Sequence, residues 1–523
     1  MSFRIHQKIG KHVYVYEVSA YWDKNKKQAR QRRQYIGKLD KKTETVVACR
    51  STKPKASFDF GDVYFIEQLF EKCGLKEVLC RHYEEGETHL FQLCAYQVSE
   101  GSAMRLCDDW ATSTARFYDS KISSQKISKI LHRIGSDEAT QQAFFADWIS
   151  NNRQAEGIFF DITSFSSYSK QCDIVEWGYN RDDEELPQIN FGLIQSYPAS
   201  IPLFYRVYSG SIPDVTTITN MRRYLDEYKI TNVTLVLDRG FYSQQNLLNI
   251  YDTFHNFTIP LPFSTKLSDE LLTGTGNFVS SKNLKTIGHR QVFCVTKPIS
   301  IASKQLIAHI YFDEFRRASQ LGNFAPKLDA LEAKSSDKKF SSESEVLTYL
   351  DEEFQAYKKY YSAIQDTTGH FRVERNNTVV DKTLAKMGKM IIITKHNSDA
   401  SEILRLYRSK DSIEKCFDAI KNDLSAKRLH VQSDPTVLGR LFISFLSIVL
   451  HTSIMKTIKG NKALRNYSVK ELLRELRKIK AVQLQSGKVF LTEITKKQRT
   501  IFEDFSIEIP TAAKNIVIKK GGI

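Results

Sequence analysis

The sequence predicts an α/β fold whose central sheet is interrupted by a β-rich insertion. Two apolar runs, GIFFDI at 157–162 and TNVTLVLD at 231–238, carry an aspartate at or next to their last position and indicate central strands. Residues 398–424 carry apolar side chains at helical spacing and predict an amphipathic helix. The stretch between the second strand and this helix loses the alternation of strands and helices, which indicates that an insertion separates two parts of one core.

Composition favours a polyanionic partner. The chain has 523 residues, enough for about three or four domains, and its formal net charge is +16. The N-terminal residues lack an apolar signal region. The longest apolar run, 441–450, is too short to span a bilayer and indicates a core helix. We therefore expect a soluble, cytoplasmic protein with no membrane partner.

The cysteines argue against a zinc site. They are the residues at positions 49, 73, 80, 94, 107, 172, 294 and 416. No pair has CxxC spacing, and no Cys/His cluster resembles a zinc ligand set. We expect small buried residues in a reducing compartment.

Residues 1–55 predict a basic β-hairpin. The strand HVYVYEVSAYW, the turn DKNK and the strand QARQRRQYIGKL interleave aromatic and basic side chains. Its basic residues include Lys11, Lys24, Lys26, Lys27, Arg30, Arg32 and Arg33. Such a ribbon suits phosphate contact or entry into a DNA groove. The alternative is a solvated basic edge that blocks aggregation.

Residues 56–150 have a helical period, and 124–134 predict a helix that Ser124 can cap. Lys126, Lys129, His132 and Arg133 on this helix indicate a small helical DNA-binding region. A packed helix with a solvated basic face remains the alternative.

Residues 151–265 form the first part of the predicted core. Asp161 and Asp238 each follow an apolar strand, and a carboxylate at a strand's C-terminal tip is a common active-site placement. Residues 188–208 predict two more strands with a turn at Pro198, and Ser243 can cap a helix. For either aspartate alone, a buried turn-capping role is the alternative.

The rest of the chain divides into three predicted parts. Residues 266–398 form the β-rich insertion, with strands near 291–296, 305–312, 370–381 and 389–395 and a charged helical arm at 325–365. Residues 399–460 complete the core, and residues 461–523 form a basic C-terminal region.

The helix over 398–424 presents one polar stripe. Asp399 can cap it, and Tyr407, Glu414 and Lys421 are seven residues apart, so they point in nearly the same direction. Lys410 lies four residues before Glu414. The carboxylate can hold a divalent metal, and the amines and phenol can hold phosphate oxygens. Ordinary solvated ion pairs are the alternative.

Several motifs together resemble a known family. They are FFDITS, IPLFYRVYSGSIPD, LVLDRGFYS and YRSKDSIEKCFDAIKNDL, in this order. The chain resembles a DDE transposase of a bacterial insertion sequence, from the group with a Tyr-x2-Arg-x3-Glu-x6-Lys (YREK) signature. The N-terminal YVYEVSAYWD and RRQYIGKLD are similar to the opening of one branch of that group. The resemblance covers most of the chain and is weakest over 266–385.

The resemblance implies an RNase H-like catalytic core interrupted by the insertion. It implies that Asp161, Asp238 and Glu414 are the catalytic, metal-binding triad. Phosphodiester hydrolysis and strand transfer use two hard cations about 3.5–4 Å apart, which three carboxylates would hold as Mg²⁺ or Mn²⁺. Tyr407 and Lys421 match the signature Tyr and Lys, whereas Lys410 stands where the signature has Arg. Lys offers a point charge in place of a bidentate fork.

The predicted partner is double-stranded DNA, both element ends and target, held by a homodimer in the bacterial cytoplasm and at the nucleoid when bound. The predicted DNA contacts are Tyr407, Arg408, Lys410, Lys421, Arg239, Lys27, Arg30, Arg32, Arg33, Lys126 and Lys129. The candidates for stacking on a flipped base are Trp177, Phe241 and Tyr242.

Three activities fit these residues. The first is a transposase that cuts element ends and joins them to target DNA. The second is an RNase H-like nuclease without strand transfer. The third is a catalytically silent, transposase-derived DNA-binding protein, against which the intact Asp161, Asp238 and Glu414 argue.

Overall fold

The protein folds into two compact units. The structure is a computed structural model that describes residues 2–23, 27–40, 44–48, 53–83, 87–152, 156–182, 184–212, 214–230, 234–273 and 278–511. The first unit combines Met1–Cys73, Phe91–Ile127 and Ile454–Ile523, and the second combines Gly74–Leu90 and Ser128–Ser453. The six predicted domain ranges stay predictions.

The first unit begins with a four-stranded antiparallel sheet. Its strands, in spatial order, are β1 (Ser2–Ile9), β2 (His12–Asp23), β3 (Gln28–Leu39) and β4 (Val46–Ala48). The predicted hairpin is therefore extended by a strand on each side. Lys24 and Lys26 of its turn lie outside the described residues.

A second sheet of this unit joins the two ends of the chain. Strand β5 (Pro54–Asp59) pairs with β18 (Lys480–Leu484), which also pairs with β19 (Val489–Leu491). Helix α1 (Gly61–Lys72) packs on α16 (Val469–Arg477), where a Cβ at Gly61 would lie 2.2 Å from the Leu476 carbonyl oxygen. A glycine is required for this approach. Residues 54–72 thus fold together with residues 469–491.

Further helices lie between and after these segments. They are α2 (Leu75–His82), α3 (Glu87–Glu100), α4 (Cys107–Ser113), α5 (Ser124–Ser136), α6 (Glu138–Asn151) and α17 (Lys496–Asp504). The amide of Lys126 donates to Ser123 Oγ, so the cap of α5 lies one residue before the predicted Ser124.

The second unit is built on one large mixed sheet. Its strands are β6 (Gly157–Ser167), β7 (Gln188–Tyr197), β8 (Pro202–Ser209), β9 (Thr234–Val236), β10 (Asn256–Pro260), β11 (Leu284–Ile287), β12 (Arg290–Ile301), β13 (Lys304–Phe312), β16 (Lys389–Thr394) and β17 (Arg428–Leu429). The spatial order is β11-β12-β13-β16-β10-β9-β6-β7-β8, with β17 paired to β6. Strands β6, β9 and β10 are mutually parallel neighbours, and β6, β7 and β8 are antiparallel.

The insertion both extends this sheet and adds a helical layer. Strands β11, β12, β13 and β16 continue the sheet beyond β10. Helices α10 (Glu314–Ser335), α11 (Glu343–Glu353) and α12 (Asn377–Lys386) share a separate core with the hairpin β14 (Tyr361–Gln365) and β15 (Phe371–Arg375). The strand predicted over 370–381 is wrong beyond Arg375, because the Asn376 side chain accepts the Val379 amide and starts a helix.

Further helices after β6 are α7 (Asp214–Glu227), α8 (Gln244–Thr253), α9 (Lys266–Thr273), α13 (Ala400–Ser409), α14 (Asp411–Asp418) and α15 (Asp434–Gly460). Ser243 and Asp399 cap α8 and α13 as predicted, since each side chain accepts a backbone amide. Helix α15 is long and apolar enough to cross a membrane, but 83% of its apolar window is buried, which is typical of a core helix.

Two sequence expectations are corrected. Asp161 lies inside β6 and not at a strand tip, because residues 157–166 all pair with β7 and the polar residues after Asp161 stay in the sheet. The hydroxyl of Ser164, for example, bonds to Asn190 Oδ1. Among the described cysteines, Cys73 is half-buried and Cys80 is exposed, so not all are core residues.

Candidate active site

Strands β6 and β9 separate at the site. They pair in parallel from Gly157–Thr234 to Phe159–Val236. On this same edge, the next pairing of β6 along the described chain is at Ser166 and Ser167, with β17. Residues 160–165 of β6 lie between these two pairings. We call this opening the β6–β9 crevice, and openings of this kind are where α/β sheets commonly place ligands.

Both predicted aspartates stand at the mouth of the crevice. Asp161 and Asp238 each lie two residues beyond the last paired couple, Phe159 and Val236, and the backbone of Asp238 is extended. Because side chains alternate along an extended chain, the two carboxylates are on the same face of the sheet. The Asp161 side chain is 14% exposed. Burial raises the pKa of the Asp161 carboxyl; Lys410 acts in the opposite direction, and the charge of Asp238 adds to the rise.

Helices α13 and α14 place Tyr407 and Lys410, two residues of the predicted polar stripe, in contact with these carboxylates. The Tyr407 hydroxyl donates to Asp238 Oδ1 at 3.3 Å. Lys410, at the junction of the two helices, lies with its Nζ 2.9 Å from Asp161 Oδ2 and 3.0 Å from Glu414 Oε1. The structure therefore gathers Asp161, Asp238, Tyr407, Lys410 and Glu414 into one group.

Lys410 is buried and charged. It is 2% exposed, whereas the side chain of its partner Glu414 is 60% exposed. Burial acts to lower the pKa of Lys410, but the charges of Asp161 and Asp238 and the bonds to Asp161 and Glu414 outweigh it and raise the pKa. The Lys410–Glu414 contact is not an ordinary solvated ion pair, since one partner is enclosed and also holds Asp161.

Sequence reasoning missed the residue that fastens this helix to the sheet. Gln195 of β7 accepts a bond from Ser412 Oγ at 2.6 Å and donates to Cys416 Sγ at 3.2 Å. Ser412 and Cys416 are four residues apart and share one helical face, roughly opposite Glu414, and this spacing was the signal available in the sequence. The bonds fix where α14 presents Glu414.

Lys421 does not continue the stripe as predicted. A π-helical turn, Ala419–Asp423, follows α14 and interrupts the α-helical spacing between Glu414 and Lys421. Lys421 Nζ contacts both carboxylate oxygens of Asp182 at 2.8 Å, and its side chain is 11% exposed. The partner of Lys421 is thus Asp182, and this ion pair ties the helix to the loop before β7.

The remaining predicted residues around the crevice differ in accessibility. Arg408 pairs with Asp313, the cap of α10, while Arg239 beside Asp238 is exposed. Trp177 is 68% exposed and Tyr242 is half-buried. Phe241 is 1% exposed and contacts the Phe160 ring, so it offers no face to a base.

The predicted DNA contacts outside the crevice are exposed. They are Lys27, Arg30, Arg32 and Arg33 on the four-stranded sheet and Lys126 and Lys129 on α5. On α5 the apolar residues Ile127, Ile130, Leu131 and Ile134 are buried on the opposite side. This is compatible with a DNA-binding face and with a solvated face, and both stay open.

The donor chemistry of the crevice fits a hard divalent cation, because all three predicted ligands are carboxylates. In the structure, the Lys410 ammonium lies beside two of these carboxylates. Within the described ranges, no three His, Cys, Asp or Glu side chains come together closely enough to hold a metal ion. The carboxylates of Asp161 and Glu414 face the Lys410 ammonium that lies between them.

Comparison with known proteins gives little further help. No protein-family model matches the chain, and no curated protein matches it. Among solved structures, it is similar to a piggyBac transposase synaptic complex with hairpin DNA, with a TM-score of 0.37 and 10% identity. That likeness covers 84% of this chain and 80% of the other.

Proposed function

We propose that this protein is a DDE transposase that cuts DNA at the ends of an insertion sequence and joins them to target DNA. The observation that carries the proposal is the position of one buried cation, Lys410, which contacts Asp161 and Glu414 at the β6–β9 crevice and is also stabilised by the charge of Asp238. Residues far apart in the chain supply these groups, so local sequence pattern alone does not account for their convergence.

The sheet supports an RNase H-like core. The resemblance implies a first aspartate at the end of the first core strand and a second aspartate on the fourth. Here Asp161 lies on β6, the first strand of the large sheet, and Asp238 follows β9, the fourth. Strands β11, β12, β13 and β16 enter the chain between Asp238 and Glu414, where the insertion was predicted.

Each residue of the crevice would have its own role in the reaction. Asp161, Asp238 and Glu414 would hold Mg²⁺ or Mn²⁺, which when bound would activate the attacking oxygen and stabilise the leaving one. Tyr407 orients Asp238 through its hydroxyl. Gln195 holds α14 so that Glu414 faces the crevice. Arg239, exposed beside Asp238, is placed to attract a phosphate.

The proposed partner is double-stranded DNA. The distal part of the β2–β3 hairpin, with Tyr21 and Trp22 exposed and Arg30 across from Tyr21, has the interleaved aromatic and basic surface expected of a groove-binding ribbon. We further propose that two copies hold two element ends, and that the protein works in the bacterial cytoplasm at the nucleoid.

A supercoiled-plasmid assay tests the proposal. Purified full-length protein is incubated with Mg²⁺ and plasmids that carry the terminal sequences flanking its gene. Cleavage at those ends followed by joined products supports a transposase. Cleavage without joining supports the nuclease, and DNA binding without cleavage under Mg²⁺ or Mn²⁺ supports the silent DNA-binding protein.

A further inference from the structure

Lys410 occupies a place that a metal ion would need. Its Nζ contacts one oxygen each of Asp161 and Glu414, so these oxygens are at most roughly 6 Å apart with the ammonium between them. An ammonium and a divalent cation cannot share this space, because like charges at such distances repel strongly in a partly buried site.

The Lys410 ammonium cannot readily leave Asp161 unless another anion enters the crevice. Lys410 is 2% exposed, and a buried charge that loses its partners costs several kcal/mol. Glu414, with its side chain 60% exposed, can leave the pair and reach solvent, but Asp161, at 14%, cannot do so as readily. Lys410 therefore stays with Asp161 unless another anion receives it.

A DNA phosphate is the anion best suited to receive the Lys410 ammonium. The lysine side chain has a flexible four-carbon stem and a compact charge, so its ammonium can turn from a carboxylate to a phosphate without moving the helix. A duplex would bring many phosphates to this site, beside which the cationic Arg239 is exposed.

We infer that Lys410 is an electrostatic latch, which keeps divalent cations out of the crevice until a DNA phosphate draws its ammonium away from Asp161 and Glu414. This inference rests on the proposed function, since it concerns the same carboxylates. It makes metal binding and DNA binding mutually strengthening, because any ligand that displaces the latch helps the other by the same factor.

The test is direct measurement of Ca²⁺ binding by calorimetry, with no cleavage readout. We expect wild-type protein without DNA to bind Ca²⁺ weakly, and Lys410→Met to bind it at least about ten-fold more tightly. Lys410→Arg keeps the charge and should stay weak. Lys304→Met removes one charge from the surface ion pair with Asp252 and controls for the change in net charge.

Two further measurements complete the test. A short duplex DNA should tighten Ca²⁺ binding to the wild type at least about ten-fold, and should do little for Lys410→Met. Without Ca²⁺, Lys410→Met should melt at a lower temperature than wild type because Asp161 and Asp238 lose their counter-charge, and Ca²⁺ should restore it. If the variant folds only with Ca²⁺, that dependence is itself the expected result.

The outcomes separate the latch from the proposed function. Equal Ca²⁺ affinity of wild type and Lys410→Met overturns the latch and leaves the carboxylate site standing. A loss of stability in Lys410→Met that Ca²⁺ does not restore also overturns it and makes Lys410 a structural ion pair. No Ca²⁺ binding by any protein, with or without DNA, overturns the metal site and the latch together.

Discussion

Two regions of the molecule hold the basic residues predicted to meet DNA, and they hold them in opposite ways. Exposed on the four-stranded sheet of the first unit are Lys27, Arg30, Arg32 and Arg33. In the second unit, Lys410 at the crevice and Lys421 on the π-helical turn contact carboxylates and are largely buried. The first arrangement attracts phosphates at long range, whereas the second releases its cations only when an internal ion pair breaks.

Under the proposed function, the four-stranded sheet would bind DNA and the crevice would react with it, and these two tasks need different electrostatics. Exposed cations can contact phosphates of any sequence, and their contribution is screened by salt. A cation enclosed among carboxylates keeps those carboxylates in place and close together. Each of the following experiments changes one side of this comparison and leaves the other intact.

The largest effect is expected from Asp161→Asn. The substitution keeps the shape of the side chain and removes the charge that would hold a cation, so cleavage should fall at least about 1000-fold. Binding to DNA should persist, because the exposed sheet is unchanged. Nicking and gel-shift assays on one preparation measure both, and Asp252→Asn, an exposed aspartate paired with Lys304, is the control. Normal nicking by Asp161→Asn with Mg²⁺ would defeat the catalytic assignment.

The next effect is expected at the four-stranded sheet. Arg30 and Arg32 pair across from Tyr21 and Ser19, so they share one face, and Arg33, across from Val18, is on the other. Replacing Arg30 and Arg32 by Ala in the full chain should weaken duplex binding about ten-fold or more at moderate salt. The slope of the logarithm of the DNA association constant against the logarithm of the salt concentration should become shallower by about two.

Arg33→Ala is the matched control for the opposite face. If the double variant and Arg33→Ala behave alike and both bind like wild type, the sheet is a solvated basic edge. The full chain is used because β5 pairs with β18, so a fragment of residues 1–150 would lack part of its own sheet.

The smallest effect is expected from Lys421→Ala. We expect weaker engagement of the cleaved end, about ten-fold, because the sequence predicts that the amine of Lys421 holds a phosphate oxygen of the DNA. The Asp182 contact means that stability will also fall, by about 1–2 kcal/mol for a partly buried pair. Melting temperature and single-turnover cleavage are measured together.

Asp182→Ala breaks the same pair and keeps Lys421. If Lys421 serves DNA, this variant should lose stability but retain engagement of the end. Equal losses of cleavage in both variants would instead assign Lys421 to holding the loop before β7.

Local pattern predicted much of the second unit correctly. The alternating and apolar runs located β7, β8, β12, β13 and β16, and side-chain oxygens at Ser243 and Asp399 marked helix starts. These features depend on neighbours within a few residues, which the sequence displays directly. The same reasoning ended β6 too early, because polar residues after Asp161 are satisfied by a partner strand that local pattern does not show.

By itself, the sequence determined which residue types are available: two aspartates beside apolar strands and a helix carrying Tyr407, Lys410 and Glu414. Tertiary structure alone decided their partners. Lys410 meets Asp161 across 249 residues of chain, and Lys421 meets Asp182 across 239. Such contacts depend on strand order and on where β6 and β9 separate, and no short-range periodicity encodes them. The burial of Lys410, which turns a helical ion pair into a candidate latch, follows from that packing.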